Sequence, residues 1–216
     1  MEKLNIRKKR VMNYFIEATE EIIRSEGVEG VSINKVAKLA GYNSATIYNY
    51  FDSIDHLILY ASMNYLKDYI NDLNKEIDEK FDNALIIYKK IYKVFNKHSF
   101  KSPEIFYNMF FSKYSKYLDV IIQNYLQIFP DYLDGSCTLV KEMLSKGSMT
   151  NRDEGLVKNL AKEGYIEEEN INTVIQIITR TQQSYLYQAL MEKDDFDYVK
   201  NNEEFFKCFD YVIEKS

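Results

Sequence analysis

The sequence has no tryptophan, and its 216 residues include only 2 prolines, 7 glycines and 2 cysteines. So little proline and glycine, with no sustained alternation of apolar and polar residues, argues against sheet folds and predicts an all-α chain. Cys137 and Cys208 lie far apart, and only His56 and His98 are available to join them. This scarcity argues against a disulfide framework or a zinc site, and we expect no metal and no cofactor.

Long apolar runs are also missing. No stretch of about 18 apolar residues occurs, which argues against a membrane-spanning helix. The first residues, MEKLNIR, do not form the apolar segment of a secretory signal. We therefore expect a cytoplasmic protein with no membrane partner.

Charge is distributed unevenly along the chain. The net charge is -5, yet residues 1–10 contain five basic residues and one acid, and residues 32–51 contain two lysines and no acid. Residues 61–216 hold 20 basic and 25 acidic residues. An acidic body with a basic N-terminal region is compatible with nucleic-acid binding by the first fifty residues.

Apolar residues recur every three or four positions along most of the chain, which predicts a series of helices. The first helix is expected from Arg7 to Ser25, and the second is short, capped by Ser32 and ended by Gly41. Asn43 is the expected cap of a third helix ending near Tyr50. Ser53 then caps a long helix of about six turns. The body is expected to contain helices over about 83–96, 103–129 with a break in the middle, 132–145, 154–163, 169–191 and 203–214.

Residues 32–51 therefore have the layout of a helix-turn-helix, with Gly41, Tyr42 and Asn43 in the turn. If Ile47 points inward, Ala45 and Asn49 lie on the opposite face of the third helix. That face is small, polar and free of acids, so it would not repel the phosphates of a DNA groove. Three short helices of an ordinary bundle would produce the same spacing.

Two runs, SINKVAKLAG at 32–41 and SATIYNYFDSIDHL at 44–57, resemble the signature of TetR family regulators. The resemblance covers roughly residues 8–60. Two positions depart from the family pattern: Ile54 replaces a phosphate-binding lysine, and Asp52 replaces a basic or neutral residue. Eight positions follow the pattern: Ala40, Gly41, Thr46, Ile47, Tyr48, Tyr50, Phe51 and Ser53.

The resemblance implies a helix-turn-helix DNA-binding domain over residues 1–52 and an effector-binding and dimerisation domain over 53–216. The long helix after Ser53 would join the head to the body. The basic arm could add phosphate contacts through Lys8 and Arg10, although a solvated tail is an equal alternative. The implied DNA-binding residues are Ser32, Asn43, Ser44, Ala45, Thr46, Tyr48 and Asn49, with Tyr48 on a phosphate and Ser32 as both cap and phosphate donor.

The body is rich in aromatic residues, with 19 Tyr and 13 Phe in the chain. Most of them are expected in the core, but tyrosine combines apolar area with a hydroxyl that suits an effector pocket. The resemblance implies a pocket between the fourth helix and the middle helices for a small apolar or aromatic effector. The candidate lining residues are Tyr65, Tyr69, Phe106, Phe110 and Tyr114.

The last two long helices carry apolar stripes that are wide for one neighbour. The resemblance implies that they pair with those of a second copy, because a palindromic operator requires a two-fold dimer. Alternatively, they only close the core of the monomer. The candidate interface residues are Ile175, Ile178, Tyr185, Ala189, Phe205 and Phe209.

The sequence gives weaker support to two other classes of function. An enzyme is disfavoured because His98 beside Ser99 has no convincing acid partner, and the carboxylates of Glu167, Glu168 and Glu169 suit a helix start. A DNA-bound factor that recruits another protein, with no effector, is the main alternative. The sequence therefore predicts a repressor that leaves a palindromic operator when the effector binds.

Overall fold

The computed structural model describes residues 6–112 and 115–216, and all regular structure within these ranges is helical. Eleven α-helices lie in these ranges, with short 3-10 turns between several of them. The helices are α1 Ile6–Glu26, α2 Ile33–Ala40, α3 Ser44–Ile47, α4 Ile54–Glu76, α5 Ala84–Ser99, α6 Pro103–Phe111, α7 Leu118–Ile128, α8 Thr138–Leu144, α9 Met149–Lys162, α10 Ile171–Glu192 and α11 Tyr198–Glu214.

The first three helices form a small head around a shared apolar centre. Phe15 of α1, Val36 of α2 and Ile47 of α3 are fully buried there. Phe51, which follows α3, closes the same centre with its ring edge-on to Phe15. Small inward residues such as Ala37 let α2 approach α1 closely.

The 23-residue helix α4 belongs to both the head and the body. Its start is capped by Ser53, whose hydroxyl accepts the His56 N–H at 3.1 Å. It contacts α1 in the head and α5, α6, α7 and α8 in the body. Because its buried residues extend from Leu57 to Leu73 and it packs against both head and body, α4 is a continuous helical connection and not a flexible linker.

The body has an aromatic core in which α5 is enclosed by α4, α6, α9 and α11. Tyr92 of α5 stacks on Phe205 at 5.4 Å between ring centroids, and Tyr88 lies 5.0 Å from Phe209. Helices α10 and α11 pack against each other, and α10 also covers α6 and α9.

Several predicted helix boundaries were wrong. The third helix ends at Ile47, because the Asn49 and Tyr50 N–H groups bond to carbonyls three residues back. The break expected in the middle of residues 103–129 is confirmed, and it separates α6 from α7. Helices α9 and α11 begin five residues earlier than expected, because Ser148 and Asp197 cap them. The predicted helix over 132–145 is shorter, and a 3-10 turn over Pro130–Leu133 precedes it.

Within the described ranges, none of the helices combines the length and the apolar character needed to cross a membrane.

Candidate functional site

The turn between α2 and α3 is held by side-chain caps on both helices. The Ser32 hydroxyl accepts the Lys35 N–H at 3.4 Å, and the Asn43 side chain accepts the Ala45 N–H at 2.9 Å. Gly41 ends α2 in the left-handed region, with φ of 76°, which suits a residue without a side chain. The Ser44 hydroxyl then donates to the Asn34 side chain at 2.8 Å and ties α3 to α2. These contacts fix the angle between the two helices.

Helix α3 presents the face that the spacing predicted. Ile47 is fully buried, whereas Ala45 and Asn49 are exposed and Tyr48 is 59% exposed. Ser44 and Thr46 are half-buried beside them. Asn49 lies in the turn that follows α3. The result is an uncharged surface of hydroxyl, amide and methyl groups on a firmly held element.

The cations of the head have different environments. Lys8 and Arg10 are exposed on α1, but the Lys9 ammonium donates to the Gln127 carbonyl of the body at 2.5 Å. Lys35 is paired with Glu26, so its charge is already balanced inside the head. Of the basic arm, Lys3 lies outside the described residues.

The two departures from the family pattern lie at the start of α4. Ile54 is half-buried and packs against the core, so it offers no charge to a phosphate. The Asp52 carboxylate is almost fully exposed and lies 3.5 Å from the His56 ring. Burial lowers the pKa of His56, against the opposing effect of Asp52, so this pair adds an acid and not a cation to the head.

Besides the Lys9 contact with Gln127, two further side-chain contacts join the first helix of the head and its end to the body. The Glu104 carboxylate of α6 accepts the Val28 N–H at 3.0 Å, just after α1. The Asn64 side chain of α4 donates to the Glu20 carboxylate of α1. Burial raises the pKa of Glu20 from 4.5 to about 7, although the Asn64 hydrogen bond lowers it.

The predicted effector residues are not assembled around an open pocket. Tyr69, Phe106 and Phe110 are buried against Phe95 and form part of the aromatic core. Tyr65 is half-buried and lines a surface cleft of about 460 Å³ between the head and the body. Tyr114 lies outside the described residues.

Sequence reasoning missed two buried charged residues in α9. Arg152 is 3% exposed and Asp153 is 2% exposed. Asp153 accepts hydroxyl groups from Tyr88 at 2.8 Å and Tyr92 at 2.6 Å, and burial raises its pKa to about 7. The pattern held a clue, because Met149 and Leu156 lie three or four positions away and place both charges on the apolar stripe.

Five of the six predicted interface residues are covered by their own chain: Ile175, Ile178, Ala189, Phe205 and Phe209. Tyr185 is half-buried with its ring edge-on to Phe205. These side chains pack inward on α10 and α11, so they serve the core of this chain. The apolar side chains that remain exposed on the two helices are Ile177, Tyr187, Met191, Tyr198, Val199 and Tyr211.

Comparisons with known proteins agree with this geometry. Residues 15–61 match the family described as bacterial regulatory proteins, tetR family. No curated protein sequence matches the chain.

Among solved structures, the chain is similar to Thermus thermophilus FadR, a TetR family transcriptional repressor in complex with lauroyl-CoA, with a TM-score of 0.59, 12% identity and 92% of each chain covered. It is also similar to the fatty acid degradation regulator FadR from Bacillus halodurans, with a TM-score of 0.55, 14% identity and 94% of each chain covered. A complex of SmeT with triclosan has a TM-score of 0.51 and 15% identity, over 94% of this chain and 90% of that one.

At these identities the likenesses show the fold, from the helix-turn-helix head to the last helix. The chain therefore has a head that matches the tetR family of bacterial regulatory proteins over residues 15–61, on a fold that it shares with solved TetR-type regulators.

Proposed function

We propose that the chain is a dimeric repressor that binds a palindromic operator and is released from it by a small effector. The observation that carries the proposal is the exposed, uncharged face of α3, which paired caps hold in place. Two of the similar structures are complexes with lauroyl-CoA and triclosan, which supports an effector with substantial apolar area. Such a regulator would act in the cytoplasm, where the chromosome lies.

In this proposal, α3 enters the major groove of DNA. Ser44, Thr46 and Asn49 offer hydrogen-bonding groups to base edges, and the methyl of Ala45 suits contact with thymine. The exposed Tyr48 hydroxyl would bind a phosphate. Ser32 and Asn43, which cap the two helices, would lie beside the same backbone. Lys8 and Arg10 would add a salt-dependent attraction from α1.

The proposed dimer uses the outer faces of α10 and α11. Ile177, Tyr187 and Met191 are exposed on α10, at intervals that place them along one side of the helix. Val199 and Tyr211 are exposed on α11. A second copy could cover these side chains and complete a four-helix contact, while the inward residues of the same helices hold the chain's own core.

The proposed division into a reading head at 1–52 and a regulatory body at 53–216 gives α4 a transmitting role. Two half-sites about 34 Å apart are read only when the two heads have the matching separation. Helix α4 and the Glu104 contact at Val28 both couple the head to the body. An effector that changes either connection by about 1–3 kcal/mol would weaken operator binding by about 5- to 150-fold.

The test is to select genomic DNA fragments with the purified chain and then to footprint the recovered sites. We expect two protected half-sites related by two-fold symmetry and a protein mass of two copies in solution. Asymmetric protection by a single copy, or no selected sequence, would contradict the proposal. Operator binding that no compound in an effector library changes would instead favour the alternative, a DNA-bound factor that recruits another protein.

A further inference from the structure

Arg152 is a buried cation without an acid partner in the described part of the chain. Its Nε–H donates to the Lys146 carbonyl at 2.7 Å, and its guanidinium lies 4.5 Å from the centroid of the Phe110 ring. One terminal nitrogen, Nη2, is buried and has no hydrogen-bond partner among the described residues. A buried cation with an unused donor is costly, and this cost points to a partner that arrives from outside.

The acids around Arg152 are engaged elsewhere. The Asp153 carboxylate accepts the hydroxyl groups of Tyr88 and Tyr92, and the Asp119 carboxylate accepts the Gly147 N–H. Burial lowers the pKa of Arg152 from 12.5 to about 10, so the side chain is still charged at neutral pH. The unused donor therefore remains available to an anion.

Arg152 lies between an apolar cavity and a polar cleft that opens to solvent. The cavity, about 10 Å³, is lined on α4 by Met63, Leu66 and Ile70 and on α7 by Ile122 and Leu126. Its volume admits about one water molecule.

The polar cleft, about 400 Å³, opens to solvent between α8 and α9. Besides Arg152, it is lined by Lys146, Lys158 and Lys162, and also by Glu79 and Glu142. Lys158 is paired with Glu154 at 2.6 Å, so Lys146 and Lys162 are offset by Glu79 and Glu142, and Arg152 is the cation in excess. Beyond Arg152 lie Tyr132 and the apolar side chains of the cavity.

We infer that Arg152 binds the anionic head of an amphipathic effector, with the apolar tail in the cavity between α4 and α7. The inference rests on the proposed function and specifies the chemical class of its effector. The guanidinium offers a charge-assisted hydrogen bond, and the Met, Leu and Ile side chains offer an aliphatic surface. A neutral alcohol with the same tail can pack against the aliphatic surface, but it has no negative charge for the guanidinium to bind.

Occupation of this site would act on two of the connections between head and body, α4 and the Glu104 contact of α6. A tail cannot fit into the present cavity unless α4 separates from α7, because so little space is available. An anion on Arg152 also competes with the Phe110 ring that now faces the guanidinium. Phe110 belongs to α6, whose Glu104 holds the Val28 N–H of the head. Both effects would change the position of the head.

The experiment measures binding of dodecanoate and dodecanol to the full-length protein by calorimetry at pH 7.5, below the concentration at which the carboxylate forms micelles. Wild type should bind dodecanoate at least about 10-fold more tightly than dodecanol, the expected effect of a charged hydrogen bond. Arg152→Met should lose that preference and retain dodecanol binding. Lys93→Met, which removes an exposed cation on α5, should bind like wild type.

Arg152→Lys keeps the charge without the guanidinium and should show an intermediate preference, which provides a second variant if Arg152→Met does not fold. Dodecyl phosphate distinguishes a general anion site from one that fits a carboxylate. Equal binding of dodecanoate and dodecanol by wild type, or an unchanged preference in Arg152→Met, would overturn the inference. Calorimetry needs no DNA, so the two hypotheses can be tested separately. If the protein selects no operator but prefers dodecanoate, the proposed function is wrong and the inference about Arg152 is supported.

Discussion

The Glu104 contact offers a sharp test of how the body holds the head. Glu104→Ala removes the carboxylate that accepts the Val28 N–H at 3.0 Å. A hydrogen bond to a charged group contributes about 1.5–3 kcal/mol, and the lower end applies here because the pair is only half-buried. Since about 1.4 kcal/mol corresponds to a factor of ten, hydrogen exchange at the Val28 amide should become about 10-fold faster.

Amide exchange followed by NMR spectroscopy measures this directly. Val28 should change, whereas amides in the middle of α1, such as that of Ile22, should not, because their partners are intact. Glu29→Ala is the matched control, since Glu29 is exposed in the same segment. Unchanged exchange at Val28 in Glu104→Ala, or an equal acceleration in Glu29→Ala, would refute the reasoning that α6 holds the head through this carboxylate.

Three further perturbations test the polar contacts of the head and core. Tyr92→Phe removes a hydroxyl that donates to Asp153 at 2.6 Å in the core and should lower the free energy of unfolding in urea by about 1–3 kcal/mol. Burial raises the pKa of Glu20 to about 7, so its stabilising contribution is full below about pH 4.5 and is lost as the pH rises through about 7. Glu20→Gln should therefore gain stability relative to wild type by about 1 kcal/mol at pH 8, after allowance for solvent screening, and not at pH 4.5. Asn43→Ala removes the cap on the Ala45 N–H, should cost about 1 kcal/mol and should weaken DNA binding.

Each of these perturbations has a matched control on the surface. Tyr14→Phe, Glu21→Gln and Asn172→Ala alter exposed residues of the same types, the first two on α1 and the third on α10. Their stabilities should stay close to wild type. A loss in Tyr14→Phe equal to that in Tyr92→Phe would show that the core hydroxyl has no special role. If Glu20→Gln raises the free energy of unfolding equally at both pH values, the raised pKa of Glu20 is contradicted. If Asn43→Ala has wild-type stability, the Asn43 side chain does not stabilise α3 as a cap.

The features that the sequence predicted best are those that depend on residues close together along the chain. Ser32, Asn43 and Ser53 were predicted as caps, and each accepts the expected kind of backbone N–H bond. Helical spacing also predicted correctly that Ile47 is buried and Ala45 is exposed. Capping and helical periodicity both depend on residues only three or four positions apart, so the local sequence determines them.

What the sequence could not provide depends on contacts between distant segments. A wide apolar stripe on α10 and α11 was predicted to face a second copy, yet Phe205 and Phe209 meet Tyr92 of α5, more than a hundred residues earlier. Periodicity identifies an apolar face but not the element that covers it. Arg152 was missed because a basic residue near a helix start normally lies in solvent.

The most direct test of the central claim is operator retardation by a pair of α3 variants, with the mass of the protein measured in parallel. Ala45→Glu places a negative charge on the exposed face beside the Asn43 cap, where the helix dipole tolerates it and DNA phosphates do not. We predict a folded variant of unchanged oligomeric mass that no longer retards the selected operator, whereas Ala45→Ser retains binding. Full retardation by Ala45→Glu would contradict the assignment of α3 as the element that reads DNA.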